Sequence, residues 1–160
     1  MDRYERTFKI VSTAGLASVF YFRGARLTTA VLLGHSLNFV LNSNVIAALK
    51  TLDVSFYNDR SEFDSYAYRI LDDFAEYEWV NDVYVAGSVN RDEWSPGSDL
   101  DVIIVRKPGF WNGIRGVFRA LVTRFLATFN LFPLDIYIFD RESLEKREIN
   151  EKLVPYNPTR

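Results

Sequence analysis

The run Asp99 to Val105, Asp-Leu-Asp-Val-Ile-Ile-Val, constrains this chain more than any other. Its second half is an unbroken set of Val and Ile, the composition of a buried strand. Yet it opens on two carboxylates one residue apart. A strand sends alternate side chains to opposite faces, so Asp99 and Asp101 share one face while Leu100 and Val102 take the other. Carboxylates held this close repel unless positive charge lies between them, and a divalent cation is the economical answer. Asp-x-Asp alone fits equally well with a solvent-exposed strand entry after the Pro96-Gly97 turn.

The rest of the chain is organised around this strand. Phe63, Tyr66, Ala67, Ile70, Leu71, Phe74 and Tyr77 recur at helical spacing and predict an amphipathic helix of about five turns, with Ser61 as its N-cap. "DVYVAG" is a short strand before the Asp99 run. After it, Ile114, Val117, Phe118, Leu121, Val122, Phe125 and Phe129 repeat the helical period. "PLDIYIF" is a third strand, and "DRESLEKREINEKL" a charged terminal helix with Asp140 or Ser143 near its start. "VPYNPTR" reads as a loose tail. The order from Ser61 is therefore α-β-loop-β-α-β-α, a layer of strands with helices on one face.

The region before residue 61 reads as helical. Residues 4 to 50 predict two helices broken near Arg23-Gly24. Leu27 to Leu49 carries no formal charge, but His35, Ser36, Asn38, Asn42, Ser43 and Asn44 are expensive in hydrocarbon. His35, Asn38 and Asn42 share one helical face, so the segment is expected to pack against protein or a partner rather than span a bilayer. No secretory signal opens the chain, and a cytoplasmic location is expected. The chain divides into a helical extension, 1–60, and a second unit, 61–160.

Composition narrows the chemistry. Cysteine is absent and there is one histidine, which excludes disulfides, thiolate sites, cysteine nucleophiles and His-rich metal sites. A net charge of −2 and a pI near 5.5 disfavour nucleic acid as a partner. Carboxylates, hydroxyls, Arg and Lys remain. Asp135, inside the otherwise apolar third strand, is the third acid in a matching setting. If one helical crossover brings the strands together, Asp99, Asp101 and Asp135 converge, and three carboxylates select Mg²⁺ or Mn²⁺. Gly87-Ser88, directly after the first strand, allows a phosphate to approach the backbone.

With these residues in place, Val83 to Val105 resembles the signature of the DNA polymerase beta-type nucleotidyltransferase superfamily, in its small single-domain form. The match runs through Gly87-Ser88, Asn90-Arg91, Glu93, Pro96, Ser98 and Asp99-Leu100-Asp101, with the third family acid at Asp135. Asp92, Trp94 and Gly97 depart from the usual loop without touching an acid of the site. The resemblance covers about residues 61 to 142. It implies an α+β fold, a short mixed sheet with helices packed on one face, preceded here by the N-terminal helical region.

The same resemblance implies a metal-dependent transferase that moves a nucleoside monophosphate, AMP first among them, from a nucleoside triphosphate to a hydroxyl, releasing pyrophosphate. Asp99, Asp101 and Asp135 would be the catalytic acids and the ligands of two Mg²⁺ or Mn²⁺ ions. Gly87, Ser88, Arg91 and Ser98 would bind the nucleotide. Arg115 and Arg119 share a helix face and fit a solvated surface better than a triphosphate contact. Trp94 suits base stacking or a structural role equally. The acceptor is expected to be a protein or small molecule, with the N-terminal helices as its docking part or as a partner or homodimer interface. The competing reading is a non-catalytic, antitoxin-like nucleotide- or partner-binding module that keeps the fold. Retention of all three acids favours the enzyme.

Overall fold

The computed structural model describes residues 3–41, 46, 59–90, 94–146 and 153–158. Helices α1 (Arg3–Phe22) and α2 (Leu27–Leu41) form a hairpin; α3 (Arg60–Ala75) leads into β1 (Val80–Ala86) and a single helical turn, α4 (Gly87–Asn90). Then come β2 (Leu100–Arg106), α5 (Phe110–Phe129), β3 (Leu134–Asp140), the short α6 (Arg141–Glu145) and β4 (Val154–Pro155). The sheet order is β3-β2-β1-β4. β2 pairs antiparallel with β1 and parallel with β3, a mixed sheet whose parallel pair is joined through α5. This is the expected α+β architecture.

Strand alternation sorts the core onto one face. Leu100, Val102 and Ile104 of β2 and Leu134, Ile136 and Ile138 of β3 bury against Phe63, Ala67, Ile70, Leu71 and Phe74 of α3. These α3 positions are the ones its periodicity selects. The N-cap differs: the Asp59 carboxylate accepts from the Ser61 N–H at 2.8 Å, so the helix begins at Arg60 and Ser61 lies inside it. The aspartate two residues upstream takes the capping role, satisfying the Ser61 N–H, one of the orphan donors of the first turn.

α5 turns a different face to the sheet than its large apolar residues suggest. Gly113, Gly116, Val117, Ala120 and Ala127 are buried, while Ile114, Phe118, Phe125 and Phe129 are exposed. A Cβ on Gly116 would lie 3.3 Å from the Trp79 ring and 3.4 Å from Ile138. The small side of the helix lets its backbone approach the sheet, and close packing outweighs side-chain size.

Residues 153–158 are not a loose tail. Val154 and Pro155 pair with Val85 and Tyr84 as β4, the Tyr156 N–H donates to Val83 O at 2.8 Å, and its hydroxyl donates to Asp72 at 2.6 Å. An edge position tolerates the proline, which has no N–H to give. Of the charged terminal helix, only Arg141–Glu145 is described as helical; residues 147–152 lie outside the described residues.

The hairpin breaks where expected, with Gly24 at φ +93°. Asn38 is its buried polar centre: Nδ2 donates to Thr13 Oγ1 at 2.7 Å and to Lys9 O at 3.2 Å, and Ser12 Oγ donates to Oδ1 at 3.1 Å. His35 is exposed instead of sharing that contact, and Asn42 lies outside the described residues. A Cβ on Gly34 would sit 2.6 Å from Ala17 N, so the two backbones are nearly in contact.

At the other end of the sheet, Arg106 is fully buried and paired with Asp140 at 3.1 Å. Hydrogen bonds from Ser143, and then the Arg106 charge, hold the Asp140 carboxyl below its ordinary range against the opposing effect of burial. A carboxyl with a lowered folded pKa contributes stability above its unfolded pKa and loses it as pH falls through the folded value. The stability difference between wild type and Asp140→Asn is therefore expected to be full at neutral pH. It should shrink below about pH 4, measured by denaturant unfolding across that range.

Candidate functional site

The site forms where β1, β2 and β3 end together. Asp101 is the second residue of β2 and is flanked in register by Ala86 of β1 and Asp135 of β3. Asp99 stands just before β2. Because β2 and β3 run parallel and in step, the two strand carboxylates lie side by side on the face away from α3 and α5. Asp99, Asp101 and Asp135 offer oxygens that all lie within 4.8 Å of one another, and all three residues are half-buried. The convergence expected of the third acid occurs.

Three carboxylates at this spacing, with no imidazole or thiolate among them, suit a hard divalent cation. Partial exposure leaves room for oxygens from a second molecule. Gly87 closes the other side. Its φ is +75°, and a Cβ there would lie 2.3 Å from Asp101 Oδ2, so only glycine lets the β1–α4 turn pass over this carboxylate.

Ser98 is buried in a tight turn: its N–H donates to Ser95 O at 2.8 Å, and its Oγ accepts from the Ser95 N–H at 2.9 Å. That turn delivers Asp99 to the strand entry. Ser88 lies in α4, but its side chain falls outside the described residues, as does Arg91 altogether. Arg119 is committed to α3, where it meets Asp73 through contacts of 2.6 and 2.7 Å. Arg115 is exposed. Trp94 is half-buried edge-on to Phe63, 6.2 Å between centroids.

Tyr137 is a neighbour of the site that motif reading does not single out. It is the second residue after Asp135 on the same face of β3. Burial, then the charges of Asp135 and Asp101, push its phenol above the ordinary range. Strand alternation counted forward from Asp135 is the signal that points to it.

A comparison with curated proteins finds no match. Residues 67–157, more than half the chain, match the nucleotidyltransferase domain family. The matched span includes all three acids, the Gly87-Ser88 turn and β4. With a mixed sheet, helices on one face and clustered strand-end carboxylates, the chain belongs to the nucleotidyltransferase domain family as a small polymerase beta-type member.

Proposed function

We propose that this protein transfers a nucleoside monophosphate, AMP foremost, from a nucleoside triphosphate to a hydroxyl of a protein or small-molecule acceptor. The observation that carries this reading is the Asp99, Asp101 and Asp135 cluster, oxygens within 4.8 Å, on the strand ends of a nucleotidyltransferase domain. Asp99 and Asp101 would hold Mg²⁺ or Mn²⁺ against the triphosphate, and Asp135 would complete a second position. Two such ions supply charge neutralisation for the triphosphate and the departing pyrophosphate.

The protein's own residues then have definable roles. Asp135 orients the incoming hydroxyl for in-line attack at the α-phosphorus and draws on its proton. Gly87 lets the β- and γ-phosphates approach the backbone beside Asp101, with Ser88, Ser98 and Arg91 as further nucleotide contacts. Residues 61–160 form the catalytic unit; residues 1–60 form the extension that meets acceptor or partner. The family match beginning at residue 67 supports this division.

The reading is tested by incubating the protein with each nucleoside triphosphate labelled in its α-phosphate, with Mg²⁺ or Mn²⁺, alone and with a host lysate. Label in an acceptor with wild type but not with Asp99→Asn/Asp101→Asn supports transfer and identifies the base. Absence of transfer with nucleotide binding unchanged in the double variant points to the binding module instead.

Gly87→Ala is a sharper probe of geometry. The new methyl must displace Asp101 and adopt an unfavourable positive φ. A displacement of about 1 Å is expected to cost about a hundredfold in transfer rate, read as kcat at saturating nucleotide. An unchanged kcat would show that the Gly87–Asp101 approach is not used.

A further inference from the structure

Helices α1, α2 and α5 present an apolar and cationic surface in a chain whose net charge is −2. A groove of about 680 Å³ runs between α1 and α5, lined chiefly by Tyr4, Phe8, Val11, Phe110, Ile114 and Phe118. Phe118 is 62% exposed and its neighbour Trp111 68%. α2 is more lopsided still. Among its described residues only Ala30, Gly34 and Asn38 are buried, while Leu27, Val31, Leu32, Leu37, Phe39 and Val40 are exposed. A helix with this much exposed apolar side chain belongs against protein or at a lipid boundary, and exposed apolar surface on this scale marks an interaction site. At the hairpin turn, Phe22 is 84% exposed and Leu27 follows closely, with Arg23 and Arg26 between them.

Charge selects the occupant. Glu5 is the sole acid within α1, α2, α5 and the turn; it is buried and bound to Arg124 and Lys9. Arg6, Arg23, Arg26 and Arg115 are exposed and form no ion pair among the described residues. A second copy docked through this face would bring two cationic surfaces together. An anionic bilayer instead takes Leu, Phe and Trp at its acyl boundary and Arg among its phosphates. No helix among the described residues is long and apolar enough to cross a membrane, so the contact is one of lying on the surface.

We propose that the α1–α2 hairpin, with the aromatic rim of α5 beside it, docks this protein in-plane on an anionic lipid surface. Phe22, Leu27 and Leu32 enter the headgroup boundary while Arg23 and Arg26 meet lipid phosphates. This would hold the nucleotidyltransferase site near acceptors that are themselves at the membrane.

The test is flotation of the full chain with phosphatidylcholine vesicles, with and without phosphatidylglycerol. The protein is expected to float with the anionic vesicles alone, and less so as salt is raised. Arg23→Glu/Arg26→Glu should weaken binding by roughly tenfold or more, and Leu32→Glu should weaken it as well. All these positions are solvent-exposed, and circular dichroism is expected to show the fold intact. Absence of flotation, equal flotation on neutral vesicles, or indifference to the arginine reversals would overturn the proposal. So would a lipid-independent dimer, seen by light scattering, that Leu32→Glu splits; that result assigns the face to a second copy.

Discussion

Asp101→Asn is expected to lower nucleotidyl transfer by roughly a thousandfold while leaving the protein folded. Asp101 sits between Ala86 and Asp135 in the sheet register and two residues after Asp99, so it adjoins both of the other acids. An amide of the same shape keeps the packing but removes the negative charge that a divalent ion requires. The stability effect has the opposite sign. Three half-buried carboxylates within 4.8 Å repel in the absence of metal, and neutralising one of them relieves that repulsion. In chelator, Asp101→Asn should therefore melt at or above the wild-type temperature. On adding Mg²⁺ with nucleotide, wild type should gain stability and the variant should not. Transfer within about tenfold of wild type would remove Asp101 from the chemistry.

Arg124→Ala is expected to destabilise the protein by about 3–5 kcal/mol, the cost of stranding a buried charge. Arg124 donates to Glu5 at 2.9 Å and to the Ile136 carbonyl, one residue beyond Asp135. Glu5 is 4% exposed, its second oxygen has no hydrogen-bond partner among the described residues, and without Arg124 its remaining described ion pair is Lys9 at 3.3 Å. The pair thus fastens α1 to the edge strand that carries an acid of the site. Removing both charges should be far milder than removing one, so Glu5→Leu/Arg124→Leu is expected to recover most of the loss. Denaturant midpoints at constant slope measure both. A single variant within about 1 kcal/mol of wild type would show that water reaches Glu5 and that the tie is weak.

What could be read from the sequence, and what could not, divides by range. The Asp99 run, the Asp135 strand and the apolar period of α3 are local patterns, and strand alternation carried the acids to their common face. In α5 the largest apolar residues carry a helical period of their own, and most of them mark the side away from the core. Gly113, Gly116 and Ala120 instead define the packed side, and the role of the glycines is apparent only once Tyr4 lies opposite Gly113 and Trp79 and Ile138 lie opposite Gly116. β4 is illegible locally because two residues, one a proline, carry no strand signal; β1 pairs with them across most of the domain. The Glu5–Arg124 pair is likewise invisible before folding, since nothing local links a first-turn glutamate to a helix so far along the chain. At the site, the acids were legible from type and spacing. Tyr137 is within reach of the same alternation counted on from Asp135, whereas the commitment of Arg119 to Asp73 needs the helix packing.

Attack at the α-phosphorus, directed by the carboxylate cluster, separates the fates of the two ends of the triphosphate. Parallel reactions with the same triphosphate labelled in either the α- or the γ-phosphate, in Mg²⁺, with wild type and Asp101→Asn, distinguish them. The α-label is expected to enter the acceptor and the γ-label to leave as pyrophosphate, both dependent on Asp101. Label from the γ-phosphate entering the acceptor, or equal α-transfer by the variant, would contradict attack directed this way.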